Sequence, residues 1–261
     1  MPNPFIRKLE HGARLTDDDR DLLRAVSQAS YDVAPRQDII SEGEPPSNVH
    51  LVMDGLACRY KLLPDGGRQV VALFLPGDIC DLHVQILGRM DHSIGTLVPC
   101  RTVDLTPQTI ATLTANPRIN RALWWSTLVD EGILREWLVN MGQRSADQQI
   151  AHLLCECLFR YRMVGMADGD SFLLPMTQEE LADTTGLTPV HVNRMLRTLR
   201  EQRLIAIAGK RITVPDVQAL ADYSGFTANY LHPRDPHTGK GTFAPAAHVT
   251  DVAHATMSRE P

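Results

Sequence analysis

The chain has 261 residues, a length that suits two domains better than one small module or three. Hydrophobic residues make up 43% of the sequence and charged residues 22%, which excludes a wholly disordered or fibrous chain. The formal net charge is −5, so a function in nucleic-acid binding requires positive charge that is concentrated in one segment.

The first predicted element is a short amphipathic helix that begins after the N-cap residue Thr16. Residues 31–105 then consist of short aliphatic and β-branched runs separated by turn dipeptides. Asp54-Gly55 and Asp65-Gly66-Gly67 suit hairpins, because glycine accepts the positive φ of a tight turn. This pattern predicts an antiparallel β-sandwich or jelly-roll barrel.

Helical spacing of apolar residues replaces this alternation at Pro107. Pro107 and Pro117 each suit the first turn of a helix, where a missing N–H is harmless. From Arg118 to Gly142 the chain has no proline, and its apolar residues cover more than one stripe. A helix that is apolar on two sides is buried on two sides. We predict that one side packs on the sheet domain and the other on a second copy of the chain, with burial inside one chain as the alternative.

Another amphipathic helix is predicted from its cap at Ser145 to about Met163. A polar loop and a short strand at 172–174 follow. Thr177 and Glu180 then have the spacing of a capping box, which starts the next helix.

Two short helices joined by a turn that contains Gly186 form a predicted helix-turn-helix. Thr188 caps the second helix. Leu204–Ala206 and Arg211–Val214 are predicted to add a two-stranded wing. Residues 188–211 contain six basic residues against one acidic residue, a local charge of +5 in a chain of −5. This concentration of charge favours a DNA-binding motif over an ordinary helical hairpin.

Several short motifs follow one another in a specific order. They are Ile39-Ile40-Ser41-Glu42-Gly43, Val52-Met53-Asp54-Gly55 and Pro76-Gly77-Asp78, followed by the long helix and the helix-turn-helix. In this order the chain resembles, from Asp21 to Phe226, the Crp/Fnr family of bacterial transcription regulators. The resemblance implies a cyclic-nucleotide-binding-like β-roll, a dimerisation helix and a C-terminal winged helix that reads a twofold-symmetric operator.

The expected fold class is α+β, with an antiparallel β-roll or jelly-roll sensor domain, a long dimerisation helix and a winged helix-turn-helix. We place the β-roll at residues 1–116, the dimerisation helix at 117–143 and the DNA-binding domain at 144–226. Residues 227–261, which are rich in Pro, Gly, Ala, Thr and His, are predicted to be a disordered tail. A transcription regulator is expected rather than an enzyme, and no catalytic residue is assigned.

The recognition helix departs from the family pattern at one position. In well-known members a glutamate near its start and an arginine one helical turn later read bases. Here Val190 stands in the place of the glutamate, and Arg194 matches the arginine. The resemblance implies that Arg194 contacts guanine, since arginine donates to both guanine O6 and N7. The predicted DNA-binding residues are Thr177, Gln178, Thr188, Val190, His191, Asn193, Arg194, Arg197, Lys210 and Arg211.

The segment that matches the family's effector pocket also departs from the pattern. Members that bind cyclic AMP carry Gly-Glu-Leu, with the Glu on the ribose, and further along Arg-Ser-Ala, with the Arg on the phosphate. The matching stretches are Asp81-Leu82-His83 and His92-Ser93-Ile94. Leucine accepts no hydrogen bond, and histidine replaces the arginine fork poorly, so cyclic AMP in the usual pose is not expected. The candidate effector-pocket residues are Asp81, Leu82, His83, His92 and Ser93.

The other cofactors of the family require a cluster of cysteines or a histidine and an N-terminal proline as ligands. No cysteine precedes Cys58, so the iron-sulfur cluster of the oxygen-sensing branch is not expected. A carbon-monoxide-sensing relative holds haem with a histidine and an N-terminal proline, and His83 and Pro2 stand at comparable places, so a haem- or redox-responsive sensor is an alternative. A metal-dependent jelly-roll enzyme needs His-x-His, which the chain lacks. No cofactor and no metal site are therefore predicted.

The five cysteines are an odd number without a Cys-x-x-Cys pair, so buried thiols are expected rather than disulfides or structural zinc. No stretch approaches the roughly 18 apolar residues of a membrane helix, which predicts a cytoplasmic protein without membrane contact.

The expected partners are double-stranded DNA, a second copy of the chain and RNA polymerase. A signal in the β-roll is expected to act through the polar break at residues 143–147. A signalling protein whose helix-turn-helix does not bind DNA is the alternative.

Overall fold

The computed structural model describes residues 3–82 and 84–234. Its first helix, α1 (Pro4–Glu10), adds to the elements predicted from the sequence. The Asn3 side chain accepts hydrogen bonds from the backbone N–H groups of Phe5 and Ile6 at the start of this helix. A capping residue followed by proline is a recognised sequence signal for a helix start, so α1 could have been predicted.

The β-roll consists of two antiparallel sheets, and helix α2 (Asp17–Val26), with its predicted cap at Thr16, precedes it. Its strands, among the described residues, are β1 (Ser30–Val33), β2 (Asp38–Ile40), β3 (Val49–Asp54), β4 (Ala57–Leu62), β5 (Arg68–Phe74), β6 (Ile79–Cys80), β7 (Ser93–Thr96) and β8 (Cys100–Leu105). One sheet has the order β1-β8-β3-β6 and the other the order β2-β7-β4-β5. The predicted antiparallel sandwich is confirmed. A short 3-10 helix (Val84–Ile86) lies between β6 and β7.

Two glycines are required by the close approach of neighbouring backbone. Gly55, between β3 and β4, has φ +91°, and a Cβ there would lie 2.4 Å from the carbonyl oxygen of Pro99. Gly77, with φ +93°, lies so close to α1 that a Cβ would be 2.6 Å from the carbonyl oxygen of Pro4. Only glycine fits both the conformation and the space at these positions. The turn at Gly77 therefore brings the N-terminal helix against the β-roll.

The chain is helical after β8, as predicted. The helices are α3 (Pro107–Ala115), α4 (Pro117–Gln143) and α5 (Ala146–Met163). Helix α4 packs its first half, including Ile119 and Leu123, into the core of the β-roll and its second half, including Val129 and Trp137, into the core shared with the C-terminal head. One side of α4 is thus buried within the chain, as expected. No helix among the described residues is long and apolar enough to cross a bilayer.

The C-terminal head contains the predicted helix-turn-helix. Its helices are α6 (Gln178–Thr185), α7 (Pro189–Glu201) and α8 (Val217–Ser224), and its strands are β9 (Ser171–Leu173), β10 (Ala206–Ala208) and β11 (Arg211–Thr213). The capping box of Thr177 and Glu180 and the left-handed Gly186 at the end of α6 are both present. The strands form one sheet in the order β10-β11-β9, so the predicted separate strand is the third strand of the wing.

The first wing strand begins two residues later than predicted, at Ala206 rather than Leu204. Arg203 has φ +59°, and the N–H of Leu204 donates to the carbonyl of Leu199. These two residues close the C-terminus of α7 and cannot extend a strand. The helix-ending motif is the physical reason for the error.

The packed chain also extends beyond the predicted end of the head. Ala228–Leu231 form a short 3-10 helix in which Leu231 is buried. The Tyr230 hydroxyl donates to a carboxylate oxygen of Glu156 at 3.0 Å. The prediction of disorder from residue 227 onward therefore does not hold for residues 227–234, because two large side chains anchor a segment of otherwise polar composition. The remainder of the predicted tail, with His237, His248 and His254, lies outside the described residues.

All five cysteines are buried and unpaired, in agreement with the sequence. Burial raises the pKa of the Cys58, Cys155 and Cys157 thiols to about 12. Since the thiolate is the reactive form, we expect a disulfide reagent to titrate no thiol in the native protein at neutral pH and all five after denaturation in guanidinium. A fast-reacting thiol in the native protein would contradict this assignment.

Candidate nucleic-acid interface and effector cavity

Helix α7 carries five of the ten residues predicted to contact DNA, and Thr188 caps it. The Thr188 hydroxyl accepts from the backbone N–H of His191 at 3.2 Å. Val192 is buried in the head, whereas Val190 is 81% exposed. Because the inner face of the helix is held by the core, its outer face is presented to solvent with a fixed orientation.

The basic residues of α7 lie on this outer face. Arg194, Arg197 and Arg200 are exposed. Among the residues that the structure describes, none of the three takes part in an ion pair. Their guanidinium groups are therefore available for phosphates or base edges.

Helix α6 brings two further predicted residues to the same surface. The Asn193 side-chain amide donates to Gln178 Oε1 at 3.1 Å, which joins α7 to α6. Thr177 accepts from the N–H of Glu180 at 3.1 Å, and a Glu180 carboxylate oxygen accepts from the N–H of Thr177 at 2.7 Å. The start of α6 is thus rigidly capped and exposed beside α7.

The wing contributes Lys210 and Arg211. Lys210 is exposed at the turn between β10 and β11. Arg211 Nη1 lies 3.4 Å from Asp168 Oδ2, in the loop before β9. Asp168 offsets part of the positive charge that the sequence predicts for the wing. This pair joins residues 43 positions apart, and nothing in the local sequence indicates it.

The opposite side of α6 packs on the β-roll through ion pairs that the sequence analysis missed. Arg68 Nε on β5 donates to Asp183 Oδ2 at 2.7 Å. Arg36 Nε lies 3.5 Å from Glu180 Oε1. These contacts fix the head against the β-roll of the same chain and leave α7 facing outward.

A buried charge chain, formed by Lys8, Asp78, Arg160 and Glu156, connects the β-roll to the head. Lys8 Nζ lies 2.5 Å from Asp78 Oδ1, and Arg160 Nη2 lies 2.6 Å from Asp78 Oδ2. Arg160 Nη1 donates to Glu156 Oε1 at 3.0 Å. Burial alone would raise the pKa of Asp78, but the two cations outweigh it and hold the pKa below its usual value.

Glu156 extends the buried charge chain to two further elements. Its Oε2 accepts from Trp137 Nε1 on α4 at 3.1 Å and from the Tyr230 hydroxyl at 3.0 Å. Burial raises the pKa of Glu156, against the opposing effect of Arg160. The chain of contacts therefore ties α1, the turn at Gly77, α4, α5 and the C-terminal 3-10 helix into one unit.

A cavity of about 200 Å³ lies between the β-roll and α4, and we call it the effector cavity because two of the predicted pocket residues line it. Its described lining consists of Arg59, Ile79, Asp81, Leu82, Leu123, Ser126, Thr127, Asp130, Glu131 and Leu134. The predicted pocket residues Asp81 and Leu82 are among them. His92 is not among the described lining residues, but its Nε2 lies 2.8 Å from Asp81 Oδ2.

Two predicted pocket residues are placed differently or not at all. Ser93 is not part of the described lining, and its hydroxyl accepts a hydrogen bond from the backbone N–H of Glu42 at 2.9 Å. His83 and Pro2, on which the haem alternative rests, lie outside the described residues. Within the part of the chain that the structure describes, no group of three or more His, Cys, Asp or Glu residues is arranged to hold a metal ion.

The lining does not fit a cyclic nucleotide. The cation of the described lining, Arg59, already pairs with Asp81. Burial would raise the pKa of Asp81, but His92 and Arg59 hold it below its usual value, so this carboxylate stays ionised. A cyclic phosphate in the cavity would face Asp130 and Glu131 with no unpaired cation among the described lining residues to receive it.

Two protein families match this chain. Residues 32–116 match the cyclic nucleotide-binding domain, and residues 148–223 match the Crp-like helix-turn-helix domain. The first covers the β-roll and the second covers the head, so the helix-turn-helix prediction is confirmed.

Individual relatives cover most of the chain. The nitrogen fixation regulation protein FixK of Bradyrhizobium diazoefficiens is 32% identical over 198 residues, which are 70% of this chain and 78% of FixK. The transcriptional activator protein FnrL of Cereibacter sphaeroides is 28% identical over 229 residues, which are 83% of this chain and 90% of FnrL. The structure of FixK2 from Bradyrhizobium japonicum has a TM-score of 0.67 and 25% identity, and the match covers 77% of this chain and 98% of FixK2.

These relatives are transcription regulators, and the alternative of a metal-dependent jelly-roll enzyme is not supported. The β-roll, the long helix and the winged helix-turn-helix occur in the order that the sequence motifs indicated. Given this order and the 32% identity to a regulator of which the chain covers 78%, the chain belongs to the Crp/Fnr family of DNA-binding transcription regulators.

Proposed function

We propose that the chain acts as a homodimer that binds a twofold-symmetric DNA site with two copies of α7. The observation that carries this proposal is the apolar outer face of α4. Its large apolar side chains, each 40% to 60% exposed, are Trp124, Leu128, Leu134, Leu138 and Met141. A second copy of the same helix would cover this face in an isologous contact.

A twofold dimer sets the spacing of the two DNA-reading heads. In such a dimer two recognition helices enter successive major grooves about 34 Å apart. The outward position of α7, held by Arg68 and Asp183 on the other side of the head, supports this arrangement. We propose that the DNA-binding unit comprises residues 144–234, eight residues more than the sequence analysis assigned.

Signal transmission is proposed to use the break between α4 and α5. Helix α4 ends at Gln143, and Arg144 has an extended backbone with φ −89° and ψ 147°. The Arg144 guanidinium donates to Glu136 on α4 at 2.7 Å and to the carbonyl of Ser224 on α8 at 3.0 Å. A shift at this joint would change the spacing of the two heads.

The DNA contacts are tested by two arginine variants. We expect Arg194→Ala to weaken operator binding by about 1 to 3 kcal/mol and to relax the preference at one base pair, since the exposed guanidinium is proposed to read guanine. Arg211→Ala in the wing is expected to weaken binding to all sequences alike. Binding is measured by fluorescence anisotropy on an operator identified by genome-wide mapping and on its single-base variants.

Arg24→Ala serves as the control, because Arg24 lies on α2, outside the head, and should leave both affinities unchanged. An equal, sequence-independent loss in the Arg194 and Arg211 variants would overturn the assignment of Arg194. If the unmodified chain showed no salt-dependent binding to any genomic fragment, the alternative of a signalling protein without DNA binding would hold. Contact with RNA polymerase and a cytoplasmic location stay predictions from the sequence.

A further inference from the structure

The effector cavity has the opposite charge to the one that a cyclic nucleotide needs. Its described lining contains three carboxylates, from Asp81, Asp130 and Glu131, and one guanidinium, from Arg59. Asp81 and Arg59 neutralise each other. The charge that remains is that of Asp130 on α4, together with that of Glu131, which an exposed pair with Arg135 at 3.5 Å balances in part. An anion in this cavity is disfavoured, whereas a cation is attracted.

Asp130 is only partly balanced by the protein itself. Lys8 Nζ lies 3.7 Å from Asp130 Oδ1 but 2.5 Å from Asp78 Oδ1, so its charge serves mainly Asp78. The Asp130 side chain is 31% exposed and lines the cavity. Burial raises the pKa of Asp130, although Lys8 opposes this effect. A second cation next to this carboxylate would favour its ionised form.

One enclosed polar side chain of the cavity wall has no hydrogen-bond partner in the part of the chain that the structure describes. Ser126 is 4% exposed, and its hydroxyl makes no hydrogen bond within the described residues. Buried polar atoms are nearly always satisfied in folded proteins, so unpaired ones that line a cavity indicate a polar occupant.

The remainder of the lining is aliphatic. Ile79, Leu82, Leu123 and Leu134 surround the polar groups, and none of the described lining residues is aromatic. A quaternary ammonium group is held by aromatic faces, which are missing from that lining. A primary ammonium group instead donates directional hydrogen bonds to carboxylates and hydroxyls. The cavity volume of about 200 Å³ exceeds the roughly 150 Å³ that accommodate benzene, so a short carbon chain fits.

We propose that the effector cavity binds a small aliphatic primary ammonium compound, with the ammonium group between Asp130 and the Ser126 hydroxyl and the carbon chain against Leu82 and Leu123. This inference rests on the proposed control of the regulator through its β-roll. The ligand contacts Leu82 of the β-roll and Ser126 of α4 at once. Leu134 lines the same cavity and is also part of the exposed face of α4. Ligand binding would therefore change the packing of Leu134 at the proposed dimer contact.

The test measures binding of putrescine to the full-length protein by isothermal titration calorimetry, without DNA. We expect one molecule of putrescine per chain and no heat from 1,4-butanediol, which has the same carbon chain without charge. Asp130→Asn should weaken putrescine binding by at least about tenfold, because it removes the charge at nearly constant volume. Asp32→Asn is the control, since Asp32 is a β1 carboxylate that does not line the cavity.

Glu131 also lines the cavity and is the acceptor proposed for the second ammonium group of putrescine, so Glu131→Gln should weaken binding as well. Absence of putrescine binding, equal affinity in the Asp130 and Asp32 variants, or tighter binding of cyclic AMP than of putrescine would each overturn the proposal. Because the titration contains no DNA, failure of the chain to bind an operator would refute the proposed function and leave this result intact. Conversely, an operator-binding chain that ignores putrescine would refute only the ammonium site.

Discussion

Replacement of Arg160 by methionine is expected to lower the free energy of unfolding by about 3 to 5 kcal/mol, because it leaves uncompensated charge in the core. Arg160 is 8% exposed and donates to Asp78 at 2.6 Å, to Glu156 at 3.0 Å and to the carbonyl of Leu73 at 2.7 Å. Methionine fills a similar volume and donates no hydrogen bond. The variant therefore isolates the loss of charge pairing from the loss of packing.

The measurement is urea unfolding at neutral pH, followed by circular dichroism. Arg135→Met is the matched control, since Arg135 pairs with Glu131 at 3.5 Å in an exposed position. Such a surface pair contributes less than about 1 kcal/mol. The double variant Arg160→Met with Glu156→Gln should unfold at a higher urea concentration than Arg160→Met alone, because it removes the stranded carboxylate of Glu156, whereas Asp78 keeps its pair with Lys8. Equal midpoints for the Arg160 and Arg135 variants would show that the buried charge chain does not stabilise the fold.

The organisation of this fold could be predicted from local sequence signals. Turn dipeptides such as Asp54-Gly55 mark the β-roll because glycine there meets a geometric demand that no other residue meets, with φ +91° and a carbonyl oxygen 2.4 Å from a hypothetical Cβ. Thr177 and Glu180 mark the start of α6 because a capping box satisfies backbone groups within four residues. Each of these requirements is met by neighbours in the chain, so the sequence displays it directly.

The buried charge chain could not be predicted in this way. Lys8 and Asp78 are 70 positions apart, and Asp78 and Arg160 are 82 positions apart. In the sequence each of them resembles a solvated surface charge, because only the tertiary fold removes them from water. The effector cavity has the same origin. Ser126 and Asp130 lie in the long helix, where the sequence indicated only packing, while the predicted Ser93 is occupied by the backbone of Glu42.

A charged residue on the outer face of α4 is expected to have the second large effect, the loss of the dimer. We expect Leu138→Glu to convert a dimeric chain to a monomer at micromolar concentration and to reduce operator affinity severely. Leu138 is 60% exposed in the single chain, so a carboxylate there remains hydrated and the monomer still folds. In a twofold dimer each copy would bury this carboxylate near its symmetry mate without a cation, which costs several kcal/mol. Sedimentation velocity measures the mass directly.

Leu62→Glu is the matched control, because Leu62 is 59% exposed but lies on β4, away from the α4 face. It should change neither the mass nor the operator affinity. If the unsubstituted chain sedimented as a monomer, the homodimer proposal would be wrong. If Leu138→Glu lowered the unfolding midpoint while the mass stayed dimeric, the two chains would associate through another surface. Loss of the dimer in a variant whose monomer still unfolds cooperatively is the outcome that only an intermolecular contact at α4 produces.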